Sequence, residues 1–78
     1  MKATVNDIVK TLMDVKSDFS KRVIPQNTFG TVVERYEDPE SYAVDLAIPD
    51  ETLVGGFRYE NVILFPDQFV VVDAFPAN

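Results

Sequence analysis

The sequence predicts a mainly β, antiparallel domain, and two observations support this. Short apolar runs rich in β-branched and aromatic residues recur along the chain, and turn residues with five scattered prolines separate them. In the clearest run, residues 42–48, apolar side chains occupy every second position, which is the spacing of a strand with one buried face.

A hairpin is the first predicted element pair. Residues 30–36 are rich in β-branched and aromatic side chains, and residues 37–41 (Glu-Asp-Pro-Glu-Ser) have turn chemistry before the run at 42–48. We expect Tyr42, Val44, Leu46 and Ile48 to face the core and the opposite face to be wet.

Two further strands are predicted near the C-terminus. The Gly55-Gly56 pair permits a sharp turn or bulge before a strand over residues 57–64. Residues 65–68 break that strand, and the last run, 69–72, is apolar throughout. Such a run is typical of a short strand that is covered on both faces or that closes a barrel.

The N-terminal segment fits two structures. Apolar residues between positions 5 and 19 fall close to helical spacing, and Thr4 to Asp7 resembles a capping box. Its many β-branched residues lower helix propensity, and a curled sheet needs another strand to close. We therefore predict a strand at about residues 8–13, with a helix as the alternative.

Length and composition bound the possible chemistry. A chain of 78 residues fits one domain, residues 1–78. It has no cysteine and no histidine, so disulfides are impossible and the common zinc and iron ligand sets cannot be assembled. The start lacks a signal-peptide pattern, and no apolar run approaches the length of a membrane span. We expect a cytoplasmic protein without membrane contact.

The charge of the chain disfavours polyanionic partners. Its net charge is −6 and its pI is about 4.3, so phosphate backbones and anionic lipids are repelled at long range. Lys21 and Arg22 make only a small basic spot. Nucleic acid is therefore the weaker expectation, and a basic protein partner is the stronger one.

The carboxylates do not predict catalysis. The groups Asp14/Asp18, Glu37/Asp38/Glu40 and Asp50/Glu51 fall in predicted loops, where solvent keeps carboxylates ordinary. The second group lacks the spacing of a dedicated calcium loop. No nucleophile has a histidine partner, and no glycine-rich loop precedes a lysine. We expect no enzyme activity, no catalytic residues, no metal site and no cofactor.

Three sequence motifs suggest a resemblance. They are residues 29–38 (Phe-Gly-Thr-Val-Val-Glu-Arg-Tyr-Glu-Asp), residues 42–45 (Tyr-Ala-Val-Asp) and residues 64–69 (Leu-Phe-Pro-Asp-Gln-Phe). With the long loop before them, they resemble a bacterial family of domains of unknown function that is expected to form an SH3-like barrel. The resemblance implies a small five-stranded antiparallel barrel. The family carries no established catalytic residues.

The aromatic residues are expected to be mostly core, because a small barrel needs bulky filling. They are Phe19, Phe29, Tyr36, Tyr42, Phe57, Tyr59, Phe65, Phe69 and Phe75. In SH3-like barrels, tyrosines near the first loop and the following hairpin often form the partner surface. That resemblance points to Tyr36, Tyr42 and Tyr59, with Arg35 and Arg58 as further contacts or as salt-bridged surface residues.

These observations favour a protein-interaction module that binds a basic partner, as an accessory, antitoxin or immunity-type protein does. The alternative is a small barrel associated with nucleic acid or the ribosome. A homo-oligomer formed through an exposed strand edge is a further expectation.

Overall fold

The computed structural model describes residues 1–17 and 21–76. Asp18 and Phe19, which the sequence places among loop carboxylates and core aromatics, lie outside the described residues. No helix in the described ranges is long and apolar enough to span a bilayer.

The described residues form seven strands and one short 3-10 turn. In chain order they are β1 (Ile8–Thr11), β2 (Val15–Lys16), β3 (Val23–Ile24), β4 (Phe29–Tyr36), β5 (Ser41–Pro49), β6 (Phe57–Leu64), the 3-10 turn (Pro66–Gln68) and β7 (Phe69–Val72). The predicted hairpin and both C-terminal strands are confirmed.

The strands form a five-stranded antiparallel sheet in the order β6-β5-β4-β1-β7, and β2 and β3 form a separate hairpin. Within the described residues, β6 and β7 are the two edges, and no backbone pairing between them closes the sheet. The fold is therefore mainly β and antiparallel, as predicted.

The N-terminal segment is a strand, and the helical alternative is wrong. The residues that resemble a capping box form a tight turn instead. The Asp7 backbone N–H donates to the Thr4 carbonyl at 3.0 Å, and the Thr4 N–H donates to the Asp7 carboxylate at 3.0 Å. Asn6 supplies the positive φ of 78° that this turn needs. The turn leads into β1, which pairs with β4.

The core lies on one face of the sheet. Tyr42, Val44 and Leu46 of β5 are fully buried there, and Ile48 packs against the same cluster. Valine, leucine and isoleucine side chains from the other strands fill most of the remaining volume.

The other face of β5 is less exposed to solvent than predicted. Ala43 and Ala47 are buried, because their small side chains lie between larger residues of β4 and β6. β7 is also more open than predicted. As an edge strand it leaves Val71 42% exposed.

The aromatic residues are not mostly core, which corrects the sequence expectation. Of the described aromatic residues, only Tyr42 and Phe69 are buried, and they meet edge to face with ring centroids 5.3 Å apart. Phe29 is half-buried, and the others are exposed. Aliphatic residues fill this small core, so the aromatic area remains at the surface.

Gly30 allows β4 and β5 to approach closely. A Cβ at this position would lie 2.6 Å from the Asp45 carbonyl oxygen and 2.8 Å from the Leu46 side chain. Any larger residue would push the two central strands apart.

Candidate functional site

An open groove of about 530 Å³ lies on the outer face of the sheet. Its floor and one side come from β4, β5 and β6, at the end of the sheet where β4 begins and β5 ends. The loop of residues 25–28 forms a second side, and Phe75 and Pro76 form a third. Four segments distant in sequence thus build one surface.

The strand register explains the depth of the groove. Ala47 pairs with Phe29 on one side and with Tyr59 on the other. Opposite residues in an antiparallel sheet share a face, so a small side chain lies between two large ones. Pro49 and Phe57, one row further along, are paired in the same way. The result is a depression with an apolar floor and aromatic sides.

Hydrogen bonds of the backbone and of two threonine hydroxyls hold the loop at residues 25–28 in place. Asn27, with φ of 67°, donates its N–H to the Thr11 carbonyl at 2.8 Å. The Thr28 hydroxyl donates to the Pro25 carbonyl at 2.6 Å, and the Thr28 N–H donates to the buried Thr11 hydroxyl at 3.0 Å. Because these bonds already order this side of the groove, the loop loses little conformational entropy when a ligand binds.

The C-terminal segment returns over the sheet to reach the groove. The Phe75 ring lies 6.4 Å from that of Phe29, centroid to centroid, at an interplanar angle of 47°. This contact positions Phe75 as a side of the groove, although 43% of the residue remains exposed.

Acidic groups flank the groove. Asp45 lies two residues before Ala47, on the same face, and its Oδ1 accepts a hydrogen bond from the Asn61 amide at 2.8 Å. At the other end, Thr52 donates its hydroxyl and its N–H to Asp50 at 2.6 and 3.0 Å. These bonds lower the pKa of Asp50 below its ordinary value of 3.8.

The structure separates the residues that the sequence grouped as a partner-binding set. Tyr59 is 65% exposed and lines the groove. Tyr36 is also exposed, but together with Arg35 it lies at the opposite end of β4. The length of that strand places Tyr36 about 23 Å from Phe29 along the sheet.

The other two predicted residues face the opposite side of the sheet. Tyr42 is fully buried and does not reach an accessible surface. Arg58 alternates with Tyr59 and points to the inner face, where its Nη1 lies 2.7 Å from Glu60 Oε1. The expected salt bridge of Arg58 is therefore present, within one strand rather than across two.

Tyr42 belongs to a polar network that anchors the N-terminus. Its hydroxyl donates to the Glu40 carboxylate and accepts the Ala3 N–H at 3.2 Å. The Lys2 N–H donates to the same carboxylate at 2.8 Å. Burial, followed by the bond to Glu40, raises the pKa of Tyr42. The Tyr42 hydroxyl and then the Lys2 N–H lower the pKa of Glu40 below 4.5.

The Lys2 side chain completes this anchor. Its ammonium donates to the carbonyls of Pro66 and Phe69 and lies 4.7 Å from the centre of the Phe69 ring. The network joins the N-terminus to β5 and to the turn before β7, which gives Tyr42 a structural role.

Phe29, Phe57 and Phe75 line the groove, although the sequence predicts mostly core positions for the aromatic residues. A signal for Phe57 was available, since it precedes Tyr59 by two residues and must share its face of β6. Phe75 carries no such signal, because its position depends on how the chain folds back after β7.

The described residues contain no group of three or more histidine, cysteine, aspartate or glutamate side chains arranged to hold a metal ion.

Comparisons with protein-family models, with curated proteins and with solved structures found no match to this chain.

Proposed function

We propose that this chain is a non-enzymatic protein-interaction module and that the groove beside Phe29, Phe57 and Tyr59 is its binding surface. The observation that carries the proposal is the position of the aromatic side chains. Four of them, Phe29, Phe57, Tyr59 and Phe75, lie outside the buried core and line an open, apolar depression. Tyrosine and phenylalanine are enriched at the centres of protein interfaces.

The charge of the molecule supports a basic partner. A net charge of −6 attracts cationic proteins and accelerates their encounter at low salt. An accessory, antitoxin or immunity-type protein that neutralises a basic protein fits this description.

We also propose that the finer architecture is an SH3-like barrel. Three features support it: β7 lies beside β1, a small hairpin interrupts the connection from β1 to β4, and a 3-10 turn precedes the last strand. A partner that binds the groove would contact the outer face of this sheet.

Affinity capture from lysate of the source organism tests the function. Tagged protein is compared with Phe57→Ala and Tyr59→Ala variants, and with Tyr36→Ala as a matched control at the far end of β4. We expect one stoichiometric basic protein that is retained by Tyr36→Ala. Loss of a buried tyrosine contact weakens such a complex by about 30-fold, so Tyr59→Ala should not retain it.

The variants are informative because the changed side chains are exposed, and their folding is checked by circular dichroism. Recovery of RNA that is released by salt would favour the nucleic-acid alternative. Equal loss of the partner in Tyr36→Ala and Tyr59→Ala would contradict the assignment of the groove.

A further inference from the structure

Beyond the groove, the outer face of β5 carries short side chains between the flanking strands β4 and β6, and we call this surface the furrow. The furrow floor consists of Ala47, Asp45 and Ala43, which alternate with the core residues of the same strand. Larger side chains of the flanking strands stand beside it, with Tyr59 next to Ala47 and Ile63 next to Ala43. An extended peptide can lie lengthwise in such a furrow.

The furrow is acidic where it leaves the groove. Asp45 is its one charged floor residue, and Glu34 pairs with Ala43 at the next row. Asn61 holds one oxygen of Asp45, Oδ1. The other oxygen, Oδ2, accepts no hydrogen bond within residues 1–17 and 21–76. A fixed carboxylate with one available oxygen suits a lysine or arginine side chain.

The other end of the groove has a different charge balance. Asp50 follows Pro49 there, and its carboxylate is already bound by Thr52. The positive charges of Arg58 and Arg22 also act on Asp50. An incoming cation is therefore favoured at the Asp45 end, which orients the ligand.

We propose that the furrow binds an extended segment of a basic partner protein, with an apolar residue in the groove and a lysine or arginine two residues away against Asp45. This inference rests on the proposed function. The spacing follows from geometry, because Ala47 and Asp45 are about 7 Å apart along the strand. Residues two apart in an extended peptide span a similar distance.

The test uses an array of immobilised 12-residue peptides. Each carries a central leucine or proline, and lysine, serine or glutamate follows two positions later. We expect the lysine peptides to bind about fivefold more tightly than the serine peptides, and the glutamate peptides to bind least. Asp45→Asn should abolish the preference for lysine over serine while binding to the serine peptides remains.

Two control variants separate this inference from the proposed function. Glu51→Gln removes an exposed charge near the other end of the groove and should keep the preference for lysine. Tyr59→Ala should weaken binding of every peptide. If Tyr59→Ala has no effect, the proposed function fails. If Tyr59→Ala weakens binding but Asp45→Asn keeps the lysine preference, only the present inference is overturned.

Two other outcomes would also overturn the inference. One is an array on which no peptide binds the wild-type protein. The other is sedimentation as a dimer that Tyr59→Ala converts to a monomer, because a second copy of the chain would then occupy the groove.

Discussion

At the scale of the residue, Tyr42 shows how one buried hydroxyl connects distant parts of the chain. It donates to Glu40 in the turn before β5 and accepts from Ala3, which is 39 residues away. Its ring packs against Phe69 of β7. The Ala3 N–H depends on this hydroxyl, since a buried N–H without an acceptor is costly.

We expect Tyr42→Phe to lower the free energy of unfolding by about 1–3 kcal/mol, because the ring stays but the Ala3 N–H loses its acceptor. Urea denaturation followed by circular dichroism measures this change. Tyr36→Phe, on an exposed side chain, is the control and should change stability by less than about 0.5 kcal/mol. Equal effects of the two substitutions would contradict the anchoring role.

At the scale of the element, the two faces of β6 carry different kinds of side chain. Phe57 and Tyr59 point outward into the groove, while Arg58 and Glu60 point inward at the edge of the core. Charged side chains that point inward on an edge strand discourage pairing with other chains. The outer face of the strand is therefore aromatic and exposed, while charged side chains point inward along the same strand.

The ion pair of β6 gives the second prediction. Arg58 and Glu60 side chains are 28% and 15% exposed, so removing the guanidinium leaves a largely buried carboxylate without this cation. We expect Arg58→Met to lower the free energy of unfolding by about 1–3 kcal/mol and the double variant Arg58→Met/Glu60→Leu to recover the loss.

Urea denaturation of the two variants, with Lys16→Met on the exposed position of β2 as control, measures these changes. A double variant that is less stable than the single one would show that the pair contributes more than two apolar side chains could.

At the scale of the whole molecule, the excess of acids couples stability to pH. The folded protein lowers the pKa of Glu40 below 4.5, chiefly through the Tyr42 hydroxyl, and that of Asp50 below 3.8, chiefly through Thr52. Groups with a lowered pKa in the folded state stabilise it above their unfolded pKa. That stabilisation is lost as the pH falls through the folded pKa.

We therefore expect the urea midpoint to fall when the pH is lowered from 6 to 3, and Glu40→Gln/Asp50→Asn to reduce this fall. The double variant Glu37→Gln/Glu51→Gln removes the same number of charges at exposed positions and serves as the control. If the urea midpoint of both double variants falls as much as that of the wild-type protein, Glu40 and Asp50 are not the cause of the loss of stability in acid.

Particular elements show how far the sequence predicts the fold. The apolar residues at every second position identify β5 and its inner face, because a strand has only two faces. The N-terminal segment is harder, since the same residues fit a helical period. Pairing with both β4 and β7 decides in favour of a strand, and such long-range pairing leaves no local signal.

The candidate site is less predictable than the strands. Tyr59 was predicted as a contact residue and lines the groove, whereas Phe29, Phe57 and Phe75 were assigned to the core. For Phe29 and Phe75, the local sequence does not distinguish a buried side chain from an exposed one. The choice depends on how much volume the aliphatic residues already fill.

The sequence by itself determined the β class, the turn of the central hairpin and the acidic charge, because these follow from local periodicity and composition. Only the tertiary structure decided that Tyr42 is an internal anchor and that four separate segments form the groove. Those outcomes depend on register and on the return path of the chain, which bring together residues that no sequence spacing relates.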